Sequence, residues 1–146
     1  MSKLEFSLNL PAAPEKLFAL ITDFESYTKF FEGYLNSIKI LERNEGEIRT
    51  EEVFVFRSLF SHELIQKSVH KIIGNDKVRT EVIFGPFKGS ILEVSFEKSP
   101  TGTKVTVSAD YKVGLKYKII APIIKQKYRT IITGLLYKIN TIAMGS

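Results

Sequence analysis

The sequence predicts an α+β fold: one strand, two short helices, a six-stranded antiparallel meander and a long C-terminal helix packed on the curved sheet. Three observations carry that prediction. From Tyr34 to about Val113, segments of strand length alternate or run apolar and are separated by turn residues. From Ile124 the period changes, and Ile124, Tyr128, Ile131, Leu135, Ile139 and Ile142 share one face of a helix. The charge changes with it. The last 36 residues carry seven Lys or Arg and no acid, which leaves −2 on the first 110 residues of a chain whose net charge is +5.

Residues 3–10 alternate, with Leu4, Phe6, Leu8 and Leu10 on one side, and this is the first strand. Pro11 ends it. Pro14 opens a helix at its favoured early position, with Glu15 in the first turn and Leu17, Phe18, Leu20 and Ile21 as the buried side. A second short helix is expected near Phe24–Phe31 and stops at Gly33. Strands are expected over 35–43, 47–57, 62–73, 77–84, 88–98 and 103–113. Short connections such as Gly74-Asn75-Asp76 and Pro100-Thr101-Gly102 favour consecutive hairpins. One sheet face carries Val78, Thr80, Val82 and Phe84, then Leu92, Val94 and Phe96, then Val105, Val107, Ala109, Tyr111 and Val113. It needs a cover, and the C-terminal helix is the element long enough to supply it, because ~25 residues span almost 40 Å. Pro122 marks a kink or restart near the beginning of that helix.

A single domain over residues 1–146 is expected, with a core of ordinary size. The apolar content is 44% and the charged content 25%, as in a soluble globular protein. There is no cysteine, which excludes thiolate chemistry and Cys-ligated zinc. The N-terminus does not read as a secretory signal, and no apolar run approaches the ~20 residues of a membrane span. A cytoplasmic location is expected.

The run Ala12-Ala13-Pro14-Glu15-Lys16-Leu17-Phe18-Ala19-Leu20-Ile21-Thr22-Asp23-Phe24-Glu25-Ser26-Tyr27 resembles the entry segment of the START-like (SRPBCC) helix-grip superfamily. Gly85-Pro86-Phe87-Lys88-Gly89 is similar to an element between two late strands in its coenzyme Q-binding and polyketide cyclase/dehydrase branches. The long terminal helix with a proline near its start is the third likeness. Two departures stand beside these: Thr28 occupies a position often held by proline, and the chain has no Trp. The resemblance implies a cavity between sheet and helix for a lipid, isoprenoid, quinone or polyketide-like molecule. No cofactor and no metal site are expected.

Ligand contacts are expected from Tyr27, Phe30 and Phe31 as a lid, and from Phe54, Phe56 and Phe84 on the strands. Phe87 is expected at the mouth, and Tyr111, Tyr128, Ile131 and Leu135 on the sheet and helix walls. Phe54 and Phe56 share a strand face, but Val53 and Val55 make the opposite face apolar too. Tyr111 and Tyr128 each bring a hydroxyl that seeks a partner when buried. Gly85–Gly89 lacks the Gly-Lys-Ser/Thr ending of a phosphate loop and opens no helix. His62 and His70 face the same side of one expected strand. Glu63, Gln66, Lys67, Ser68 and Lys71 around them read as solvent-facing, so the histidines are not expected to be catalytic. They lie more than ~20 Å apart, too far to share a metal ion.

Lys125 and Arg129 flank the helical ridge on one side, Lys127 and Lys138 on the other. They complement the acidic first part of the chain, or contact an anionic surface such as membrane headgroups or RNA. The leading functional expectation is binding or transport of an apolar small molecule without catalysis. One alternative is a cyclase/dehydrase-type enzyme drawing on His62, His70, Tyr111, Tyr128, Arg79 or Glu81. The other is a ribosome-, RNA- or protein-contacting module of the toxin-like branch.

Overall fold

The structure is a computed structural model that describes residues 2–55 and 63–145. Strand β1 (Ser2–Leu10) is followed by helix α1 (Pro14–Ile21), a 3-10 turn (Phe24–Ser26) and the single turn of α2 (Tyr27–Phe30). Strands β2 (Leu35–Asn44), β3 (Glu47–Phe54), β4 (Leu64–Ile73), β5 (Lys77–Phe84), β6 (Ile91–Ser99) and β7 (Gly102–Tyr111) come next. A second 3-10 turn (Leu115–Ile120) leads into α3 (Ala121–Met144). The sheet is antiparallel with strand order β1-β7-β6-β5-β4-β3-β2, so the six later strands form a meander and β1 pairs with the last of them. This is the expected α+β arrangement.

The differences from the sequence reading are local. The second helix is half 3-10 turn and half α-helix. Pro122 restarts the chain as α-helix directly after the Leu115–Ile120 turn, as its fixed φ and missing N–H favour in a first turn. The buried stripe of α3 is wider than the expected ridge. Ile124, Leu135 and Ile139 are buried as expected, joined by Ile132, Leu136 and Ala143, whereas Ile142 is exposed. A helix seated on a concave sheet buries two adjacent rows of side chains, not one.

The core lies between α1, α3 and the β1-β7-β6 side of the sheet. Leu17 and Ile21 of α1 and Leu136 and Ile139 of α3 meet Val105, Val107 and Phe96 there. Two side-chain bonds fix the α1 entry. The Ala12 N–H donates to Asn140 Oδ1 at 3.0 Å, and Thr103 Oγ1 donates to the Ala12 carbonyl at 2.7 Å.

Gly102 opens β7 at φ +149°, where a Cβ would stand 2.2 Å from the Leu10 carbonyl oxygen and 2.7 Å from that of Pro11. Both obstacles are backbone, so neither can swing aside. Gly102→Ala should therefore lower stability by about 2–3 kcal/mol. Urea unfolding reads this as a lower midpoint at unchanged slope; an unchanged midpoint would show that the β1–β7 seam tolerates the displacement.

Candidate functional site

Over β3, β4 and β5 the inner face of the sheet is not sealed by the helices, and a cavity of about 150 Å³ remains beneath α3. On the α3 side its wall is Ile124, Tyr128, Ile131, Ile132, Leu135 and Leu136. Tyr27 and Phe31 close it at the α2 end, and Phe54 and Phe87 add further aromatic surface. Lys127 is exposed and also borders the cavity, which places its solvent end beside that residue.

The rim around Phe87 is held by the backbone. Ser90 Oγ accepts from the Lys112 N–H at 2.7 Å and donates to the Lys112 carbonyl at 3.2 Å. The Gly114 N–H donates to the Pro86 carbonyl at 2.9 Å. These bonds tie the Gly85–Gly89 turn to the segment that leads into α3.

The opposite wall is polar. Cross-strand neighbours bring Glu52 beside Gln66, Thr50 beside Ser68 and His70 beside Thr80, all on the inner face. Glu52, Thr50, Ser68 and His70 are buried. His70 spans two hydroxyls, with Nε2 2.8 Å from Thr50 Oγ1 and Nδ1 2.7 Å from Thr80 Oγ1, and its ring stacks on Phe24 at 4.2 Å. Burial pushes its pKa down to about 3, so the ring is neutral near pH 7. A neutral imidazole has one donor and one acceptor nitrogen, and both are engaged.

Burial acts on Glu52 in the opposite direction, raising its pKa to about 7. Ser68, Thr50 and Gln66 are close enough to favour the charged form and offset part of that rise. Its Oε2 is buried without a hydrogen-bond partner. The Tyr27 hydroxyl donates to the Ile21 carbonyl and is held protonated, first by burial and then by the charges of Glu52 and Asp23. Burial likewise raises Tyr128 to about 12, and its hydroxyl makes no hydrogen bond among the described residues.

Of the eleven residues expected to contact a ligand, Tyr27, Phe31, Phe54, Phe87, Tyr128, Ile131 and Leu135 border the cavity. Phe30 is buried in the core and not on the wall. Tyr111 lies behind the wall, stacked on Tyr128 at 5.8 Å. Phe84 is on the outer face. A bulge places Lys67 opposite Phe84 and Ser68 opposite Val82, so Phe84 leaves the inward row, stands 52% exposed and packs under the Lys67 ammonium. Phe56 and His62 fall outside the described residues.

Arg79 and Glu81 are exposed, and Arg79 pairs with Glu93 at 3.6 Å. Two of the four helix cations are used within the molecule. Arg129 lies over the Phe6 ring at 4.9 Å, and Lys138 reaches Glu32 at 3.9 Å.

Of the wall residues Glu52, Thr50, Gln66, Ser68, His70 and Thr80, the sequence reading placed Thr80 alone on the inner face; it passed over Thr50 and Glu52, and it set Gln66, Ser68 and His70 on a solvent-facing strand because of their polar neighbours. A usable signal was present. In β3 the parity of Ile48 and Phe54 includes Thr50 and Glu52, and in β4 the lysines 67 and 71 share the parity opposite to Gln66, Ser68 and His70. Among the described residues, no helix is long and apolar enough to cross a membrane.

Residues 10–137 match the family described as polyketide cyclase / dehydrase and lipid transport. No curated protein matches the chain. The fold is similar to that of a protein from Thermus thermophilus, at TM-score 0.83 and 15% identity over 99% of this chain and 98% of that one. It is also similar to the Zhui aromatase/cyclase from a Streptomyces species, at TM-score 0.83 and 11% identity over 98% and 93%. A START superfamily protein from Mycobacterium smegmatis gives TM-score 0.74 and 15% identity over 96% and 98%. At these identities the likeness is one of fold.

The two buried titratable groups set opposite pH dependences. Glu52 rises from 4.5 to about 7 on folding, so the folded state holds the proton more tightly and stability falls as pH rises through that window. His70 drops from 6.5 to about 3, so its contribution is lost as pH falls through that window. Between pH 4.5 and 6.5 the two slopes, each about 1.4 kcal/mol per pH unit, oppose one another. Glu52→Gln removes one of them. The variant should gain on the parent with rising pH, by up to about 3 kcal/mol at pH 7 and above relative to pH 4.5. Urea unfolding across pH 4–8 measures the difference, and a pH-independent offset between the two proteins would contradict the assignment.

Proposed function

Because the chain belongs to the polyketide cyclase/dehydrase and lipid transport family, within the START-like superfamily, we propose that it binds an apolar small molecule in the cavity under α3. The observation that carries this reading is the cavity itself, about 150 Å³ with Phe31, Phe54, Phe87, Ile131 and Leu135 on its wall. A cavity of about that volume lined by Leu, Ile and Phe side chains stays dry and takes up benzene. The matching ligand fragment is one ring in size, and a longer molecule extends outward past Lys127. Burying the ring is favourable by roughly 25 cal/mol per Å² of apolar surface removed from water. The aromatic and aliphatic wall residues supply that surface, and Tyr27, Phe31, Phe54, Phe87, Tyr128, Ile131 and Leu135 are the proposed contacts.

Ile131 is half-buried and borders the cavity, so a larger side chain there fills space the fold does not need filled. Toluene followed by amide chemical-shift perturbation should shift β4, β5 and α3 resonances of the parent saturably. Ile131→Trp should weaken that binding at least about tenfold, at an overpacking cost of about 1–3 kcal/mol. Shifts confined to the surface, or equal affinity in the variant, would refute the cavity as the binding site.

A further inference from the structure

Two large apolar side chains stand almost wholly in water. Leu115 is 84% and Ile119 92% exposed, against 38–57% for the other exposed large apolar residues among those described. Both lie in the Leu115–Ile120 turn, and Ile123, 49% exposed in the first turn of α3, continues the strip. A lone exposed Leu is ordinary, but three such side chains on one short run form a patch. Lysines are interleaved with them. A 3-10 turn repeats every three residues, so Leu115 shares an edge with Lys118, and Lys116 with Ile119. Ile123 and Lys127 stand four apart on one face of α3, and Lys125 lies between them. All four lysines are exposed, and none forms an ion pair among the described residues. No acid follows Asp110 in the chain. The bond from the Gly114 N–H to the Pro86 carbonyl brings the turn with exposed Lys88 to the same end of the molecule. These charges work against the fold. They crowd the start of α3, whose first turn holds no acid, and the helix dipole disfavours cations there.

We propose that this end of the molecule docks on an anionic lipid bilayer. Leu115, Ile119 and Ile123 enter the headgroup layer, and the interleaved lysines lie along it with their ammonium groups at the phosphates. The chain lies on the membrane and does not cross it, since no helix among the described residues is long and apolar enough to do so. Aliphatic tips favour lipid over RNA, because a single strand is held by aromatic stacking in a basic groove. A two-fold contact with a second copy would set the lysines of one patch against those of the other. Lys127 also borders the cavity, so docking turns the cavity's solvent end toward the lipid. The docking itself does not rest on the cavity as a binding site.

The test is co-sedimentation with vesicles of phosphatidylcholine and phosphatidylserine, beside vesicles of phosphatidylcholine alone. The parent should bind the mixed vesicles at least about tenfold more tightly, and added salt should weaken that binding. Lys116→Gln with Lys118→Gln should lower the affinity by roughly tenfold to thirtyfold, at about fivefold for each lysine. Leu115→Ser with Ile119→Ser should lower it at least about tenfold. That variant should keep the parent's urea midpoint and its toluene binding, because neither residue packs in the core or borders the cavity. Toluene thus tests the cavity and the vesicles test the docking. The chain has no tryptophan, so Ile119→Trp supplies a single reporter whose emission should shift to the blue on the mixed vesicles. Equal binding to both kinds of vesicle, full binding by the serine variant, or an unmoved tryptophan emission would overturn the proposal. So would a parent that ignores vesicles and binds polyuridylate RNA, or one that sediments as a dimer which the serine variant separates. Those results would give the patch to RNA or to a second copy.

Discussion

One helix cannot cover this sheet, and most of the molecule's character follows from that. Seven strands at about 4.8 Å spacing span roughly 29 Å, while an α-helix with its side chains is about 10 Å across. Helix α3 packs against β1 and α1, so the tight core forms on the β1-β7-β6 side, where Val105, Val107, Leu136 and Ile139 are fully enclosed. Over β3, β4 and β5 the sheet is left with Tyr27, Phe31 and one edge of α3 as cover. The cavity is a geometric remainder of gripping a wide sheet with a single helix, and its place depends on which edge the helix favours. The pairing of β1 with β7 sets that edge, by bringing Leu4, Phe6, Leu8 and Leu10 alongside the last strand of the meander.

The same remainder explains why the least sealed part of the interior is the most polar. Thr50, Ser68 and His70 satisfy one another or their neighbours across three adjacent strands, and a hydrogen-bonded strip of this kind costs little to bury. Glu52 breaks the pattern. Its carboxyl sits in the strip with one oxygen served by nothing, which costs stability and shifts its proton affinity toward neutrality. A fold selected for stability alone would place a threonine or leucine there.

The fold was legible in the sequence because its signals are long and redundant. The ridge from Ile124 to Ile139, the alternation of β7 and the Pro14 helix start each span many residues and agree with one another. The lining of the cavity was legible only in its apolar half. Tyr128, Ile131 and Leu135 follow from helical spacing, and Phe87 from the Gly-Pro-Phe turn. Phe84 did not follow, because a single extra residue in β5 reverses facing beyond the bulge and leaves no mark on composition. The polar wall did not follow because Gln66, Ser68 and His70 belong equally well to a wet face. What decides between the two is the concave side on which α3 lies, and that is a tertiary fact. The basic tail had a similar fate: Arg129 and Lys138 find partners in Phe6 and Glu32, contacts that no local pattern reveals.

Glu52 is a buried carboxyl in a residue that borders the cavity, one of its oxygens has no partner, and it is neutral at mildly acidic pH and about half ionised near pH 7. Its side-chain carboxyl carbon, followed by NMR through a pH titration of the folded protein without ligand, reports this directly. The midpoint should fall near 7, well above the 4.5 of a free glutamate. A midpoint near 4.5 would mean instead that the carboxyl is solvated or fully hydrogen-bonded, and that it is not the buried, half-served group described above.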